Sequence, residues 1–135
     1  DIIPNERKSI LPYISMIDVI DKGRDFRMRL IGSEIQRYIG RNCTDEFLSM
    51  DMGFDRRVFE PWFRSIVDEQ RALIGTISSD NPDASSIYNR EIISLPLMNG
   101  THTEVDIIIN VIVQSKHRSK YLPEMKNGSS EIFHK

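Results

Sequence analysis

Residues 25–35, DFRMRLIGSEI, constrain the fold more than any other stretch of the chain. Phe26, Met28 and Leu30 alternate with Arg27 and Arg29, the period of a strand with one apolar and one cationic face. Gly32 stops that alternation. Ser33 then stands where an N-cap belongs, and Ile35, Tyr38 and Ile39 share one face of a helix over 34–39 before Gly40 closes it. The sequence therefore predicts a strand that turns at a glycine directly into a helix of about two turns.

The flanking segments extend this pattern. Residues 10–20, ILPYISMIDVI, are rich in β-branched and aromatic side chains and end in the turn-forming string Asp21-Lys22-Gly23-Arg24, which predicts a first strand and a hairpin. Residues 41–54 are irregular, and one or two single-turn helices are expected there. From Val58 to Arg71 the pairs Val58/Phe59, Trp62/Phe63 and Ile66/Val67 recur four apart, the stripe of an amphipathic helix. Pro61 is expected in its first turn, where the missing backbone donor does no harm. Residues 72–79 return to strand character, and 80–86, DNPDASS, form a polar loop. Residues 88–97 and 105–113 are the last two strands, joined through Met98-Asn99-Gly100-Thr101-His102 with its Asn-Gly hairpin signal. The fifth strand, VDIIINVIV, is apolar on both faces apart from Asp106 and Asn110, as a central strand covered on both sides would be. Residues 1–9 read as a lead-in and 116–135 as a flexible C-terminal tail.

At 135 residues the chain is expected to form one domain, 10–115, with a single core. A net charge of -2 with both signs interspersed gives no pull towards nucleic acid or an acidic membrane surface. Cys43 is the only cysteine, which excludes an internal disulfide and a multi-cysteine zinc site and fits a reducing, cytoplasmic setting. No apolar stretch approaches the roughly 20 residues of a membrane helix. The chain opens at Asp1 rather than Met, so a segment ahead of it is expected.

Several strings in this order resemble a compact bacterial subfamily of PAS domains. They are Leu11-Pro12-Tyr13 leading to Ile17-Asp18-Val19, then Phe26-Arg27-Met28-Arg29-Leu30-Ile31-Gly32-Ser33, then Gly40-Arg41 with Thr44, and Pro96-Leu97 before the last hairpin. Where that subfamily commonly has Gly after the Thr, Asp45 stands here. The resemblance implies an α+β fold: a five-stranded antiparallel sheet in order 2-1-5-4-3, with short helices and one longer helix on one face. It implies a sensory or signal-transduction domain that binds a small molecule, mediates dimerisation, or does both, and it implies no catalysis. Its cavity wall would come from Met28, Leu30, Ile35, Tyr38, Ile39, Phe47, Trp62, Phe63 and Ile66. A filled core with association alone is the alternative, and a homodimer through the outer sheet face is the expected partner.

Gly40-Arg41-Asn42-Cys43 also resembles the start of the GRNCRFLQ string of light-oxygen-voltage flavin photoreceptors, which implies Cys43 as an adduct-forming residue and Asn89, Asn110 and Gln114 as flavin-holding candidates. Thr44, Asp45 and Glu46 depart from that string, the two carboxylates being unsuited to a flavin phosphate. No certain cofactor is expected. His102, His117 and His134 do not share a helix face at ligand spacing, and His102 with Glu104 and Asp106 reads as a solvated loop rather than a metal site. No nucleophile has a recognisable base beside it. Arg57, Arg64 and Arg71 are seven apart on the long helix, with Asp55, Glu60 and Asp68 in pairing range. Arg27 and Arg29 on the outer face require carboxylate or carbonyl partners if that face is covered.

Overall fold

The structure, a computed structural model, describes residues 10–50, 56–77, 89–114 and 130–133. Within them the order is a 3-10 turn (Leu11–Tyr13), β1 (Ile14–Ile20), a second 3-10 turn (Asp21–Gly23), β2 (Asp25–Ile31), α1 (Ser33–Ile39), α2 (Arg56–Glu69), β3 (Leu73–Ile77), β4 (Arg90–Met98), β5 (Val105–Gln114) and β6 (Ser130–Phe133). β1 to β5 pair antiparallel in spatial order 2-1-5-4-3, the α+β arrangement expected. β5 lies at the centre because both its faces are apolar. Ile108 and Ile112 are buried on the inner side, while Ile107, Ile109 and Val111 are half-buried on the other.

Several boundaries depart from the sequence reading, each for a local reason. The first strand begins at Ile14 rather than Ile10, because Pro12 bends Leu11–Tyr13 into a 3-10 turn. Gly32, not Ser33, is the N-cap of α1: it is extended, its N–H donates to the Ile14 carbonyl at 2.8 Å, and Ser33 is already helical. Glycine is required there. A Cβ at position 32 would stand 2.4 Å from the Pro12 carbonyl oxygen. Gly40 closes α1 in the left-handed region, at φ 100°, and donates its N–H to Gln36, as read from the sequence.

α2 starts at Arg56, two residues before the predicted start, which puts Pro61 in the second turn instead of the first. A proline there has no N–H for the carbonyl of residue 57, a defect of about 3 kcal/mol in an isolated helix. The apolar stripe outweighs it. Val58, Phe59, Trp62, Phe63 and Ile66 are all buried, and a fully buried large apolar side chain contributes about 1.5–3 kcal/mol. α2 ends at Glu69, with Gln70 left-handed at φ 55°, so Arg71 falls beyond the helix and not on its face; Arg64 pairs with Glu60 at 3.7 Å and Arg71 with Glu69 at 2.7 Å.

Residues 41–50 form no helix, contrary to expectation. They run beside the outer edge of β2 instead: Met28 N–H donates to Glu46, Asp45 N–H to Met28, and Leu48 N–H to Phe26, at 2.6–2.9 Å. The edge of β2 presents backbone groups that need partners, and this irregular segment supplies them. The β4–β5 hairpin forms, but the left-handed residue of its turn is His102, at φ 58°, and not Gly100. Asn99 organises the loop, its Oδ1 accepting from the Thr103 N–H and the Thr101 hydroxyl, both at 3.0 Å.

β6 pairs in parallel with the free edge of β3, through Gly75 and Ile77. It lies inside the segment read from sequence as a flexible tail; an unpaired sheet edge is a template for any extended segment within reach. Residues 115–129 and 134–135 lie outside the described residues, as do 1–9 and the polar loop 80–86.

Candidate functional site

α1 and α2 cover one face of the sheet, and their apolar side chains meet Ile17, Phe26, Met28, Ile92, Ile108 and Ile112 in a single core. Within it lies a cavity whose interior measures about 20 Å³, room for the centre of a water-sized sphere to move. Met28, Ile35, Ile39 and Phe63 line it, as the sequence reading expected.

The other expected wall residues lie elsewhere. Leu30 is 49 % exposed on the opposite face. The cause is a bulge in β2: Met16 pairs with Leu30 but Ile17 with Met28, so Arg29 is an extra residue and every side chain beyond it changes face. Phe47 is half-buried in the edge segment, forming a backbone bridge with Arg27. Tyr38, Trp62 and Ile66 are buried in the core without lining the cavity. Tyr38 receives the Arg90 guanidinium over its ring at 4.6 Å, and burial pushes its phenol above the usual tyrosine range.

In their place Ser15, Ile17, Ile31, Phe59, Ile92, Asn110 and Ile112 complete the wall. Ser15 and Asn110 belong to a buried polar row that crosses three strands. Asn110 of β5 stands directly opposite both Ser15 of β1 and Ser94 of β4. The Trp62 indole N–H donates to Ser94 Oγ at 2.8 Å, the Ser94 hydroxyl to Asn110 Oδ1 at 2.5 Å, and Asn110 Nδ2 to Ser15 Oγ at 3.2 Å. The polarity has one direction. The indole nitrogen can only donate; Ser94 accepts from it and gives its own hydrogen to the Asn110 carbonyl oxygen, and the Asn110 amide faces Ser15. Asn110, polar within the apolar run 107–113, was the one trace of this row visible in sequence; single serines on β1 and β4 gave none.

On the outer face the register builds three rows. Ile14, Val111, Ile93 and Ile74 form the first, Leu30, Met16, Ile109 and Leu95 the second, and Arg27, Asp18, Ile107 and Leu97 the third. Leu95 and Leu97 are 41 % and 42 % exposed, and the bulge adds Leu30 to the same patch. At the corner, Asp18 satisfies both outer arginines: Arg27 donates to its Oδ2 at 2.7 and 3.1 Å, and Arg29 Nε lies 2.8 Å from Oδ1. The hydrogen bond to Asp18, with its charge, raises the Arg27 pKa further. The carboxylate these arginines require thus comes from the neighbouring strand.

The string 40–43 has local structural work in each residue. Gly40 caps α1, Arg41 holds the Glu46 carboxylate with both terminal nitrogens at 2.7 and 2.5 Å, and Asn42 Oδ1 accepts from the Thr44 N–H and hydroxyl at 3.0 and 2.6 Å. The Arg41 hydrogen bonds hold the Glu46 carboxyl below the usual range. Cys43 is fully buried away from the cavity lining, and burial, with Glu46 adding to it, pushes its thiol up. Of the flavin-holding candidates, Asn110 lines the cavity, Asn89 is exposed at φ 66°, and the Gln114 side chain lies outside the described residues. Among the described residues no group of three or more His, Cys, Asp or Glu could hold a metal ion, and Glu104 is engaged with Lys22 at 3.6 Å. His117 and His134 lie outside them. Among the described residues no helix is long and apolar enough to cross a membrane.

In comparisons with known proteins, no family model, no curated protein and no solved structure matches this chain.

Proposed function

We propose that this chain is a PAS-type signal-transduction module that acts by self-association through the outer face of its sheet. The sheet order, the helices on one face and the strings between residues 11 and 97 support the PAS reading. The observation that carries the mode of action is an apolar outer sheet face, beside a core pocket among the described residues of only about 20 Å³. A pocket for a drug-sized ligand or a cofactor measures roughly 300–1,000 Å³, far beyond the interior found here. Two cross-strand rows of Ile, Leu, Val and Met, continued by Ile107 and Leu97 in a third, by contrast form an apolar surface suited to a partner.

A second copy of the chain is the partner that fits. Four strands about 4.8 Å apart and three rows about 6.8 Å apart span roughly 14 by 14 Å, apolar except at the Arg27–Asp18 corner, before side chains widen it. Doubled across a two-fold axis with its rim, such a face reaches the small end of specific interfaces, about 1,200 Å² in total. The Asp18–Arg27–Arg29 corner leaves one net positive charge beside the patch and limits the contact to one margin. The small-molecule reading keeps one observation in its favour, the polar corner of Ser15 and Asn110 in the cavity wall.

The test is sedimentation of the full chain at tens of micromolar. A dimer is expected, and Ile109→Glu, in the centre of the second row, is expected to yield a monomer with an unchanged circular dichroism spectrum. A native chain that sediments as a monomer overturns the proposal. Native mass spectrometry on the same sample reports any co-purified small molecule.

A further inference from the structure

The polar row ends in a donor that has no acceptor, and that donor points to a ligand. Ser15 Oγ accepts from Asn110 Nδ2, so its own hydrogen is left to give; no acceptor for it occurs among the described residues. Asn110 Nδ2 carries a second N–H in the same position. Both side chains are buried, at 3 % and 2 % exposure, and both line the cavity. This surplus goes with the Asn110 orientation in which Oδ1 accepts from Ser94 and Nδ2 donates to Ser15.

We propose that the cavity is a binding site for a single water molecule, held as acceptor by the Ser15 hydroxyl and the Asn110 amide. Size and chemistry agree. A space of about 20 Å³ exceeds the roughly 10–15 Å³ that one water needs, and it is too small for a larger acceptor without rearrangement of the core. Two donors converging on a space otherwise walled by Ile, Met and Phe supply the minimum of polar partners, and an unmet buried donor would itself be costly. The inference stands independently of the signalling reading, since it rests on the core alone.

Water-selective nuclear Overhauser spectroscopy on the full chain tests it. Direct cross-peaks from water to the methyl groups of Ile17 and Ile35 are expected, with loss of both in Ser15→Val, which replaces the hydroxyl and one Cβ hydrogen with two methyl groups. Xenon serves as the apolar probe: it is expected to leave the same methyl resonances unmoved. Native protein without the water cross-peaks, saturable xenon shifts at Ile35 and Ile39, or a folded Ser15→Val that keeps the cross-peaks would each overturn the assignment. Should Ser15→Val not fold, the two native-chain measurements decide.

Discussion

Trp62→Phe is the sharpest test of the buried row, because it keeps most of an aromatic side chain in place and deletes the donor that starts the row at Ser94. Trp62 is fully buried and its indole N–H lies 2.8 Å from Ser94 Oγ. Losing that hydrogen bond and stranding the serine lone pair costs about 1–2 kcal/mol. The smaller ring forfeits a further ~1–2 kcal/mol of apolar burial. The expected destabilisation is therefore about 2–4 kcal/mol, below the ~3–5 kcal/mol expected of Trp62→Ala. In a Ser94→Ala background the indole N–H is already stranded, so Trp62→Phe then costs only about 0–1 kcal/mol, and the cycle yields a coupling of about 1–4 kcal/mol. Urea unfolding of the four proteins measures this. Far-ultraviolet circular dichroism must be the signal, since the only tryptophan is the residue replaced. A coupling under about 0.5 kcal/mol, the scatter of independent sites, would mean that Trp62 and Ser94 do not interact and that the direction assigned to the row is wrong.

Two glycines give opposite expectations. Gly32→Ala places a Cβ against the Pro12 backbone and is expected to cost at least about 1–3 kcal/mol, whereas Gly100→Ala meets nothing within 4 Å and is expected to be neutral or to stabilise by about 0.4–1 kcal/mol; equal effects in thermal unfolding would refute the close approach of α1 to the first 3-10 turn. Cys43 is expected to resist alkylation at neutral pH and to react once denaturant unfolds the chain, as read by mass spectrometry; rapid labelling of native protein would show that the thiol is accessible. Because its folded pKa is raised, the stability it contributes is present below the unfolded thiol's pKa and is lost as pH rises through the folded value, so Cys43→Ala is expected to flatten the alkaline limb of the stability profile.

The order of elements was legible because it rests on periodicity and local turn chemistry, while the strand sequence across the sheet came from the resemblance, with the two-sided apolar pattern of residues 10–20 and 105–113 suiting inner strands. An apolar run such as VDIIINVIV demands cover on both faces wherever it sits, and a glycine after DFRMRLI interrupts a strand in any context. What tertiary structure alone decided depends on pairs of strands or on packing. The β2 bulge is a property of two strands in register, so Leu30 reads as an inner residue in sequence and turns outward only when Arg29 bulges opposite β1, beside the Asp18 carboxylate that holds both arginines. Pro61 is tolerated in the second turn of α2 because burial of the stripe around it outweighs a missing hydrogen bond, a balance that propensity does not contain. The Ser15–Asn110–Ser94 row joins residues far apart in the chain through register. A lone serine on a strand has no preference visible along the sequence; its role arises when a neighbouring strand brings a partner within hydrogen-bonding distance in a buried, low-dielectric interior.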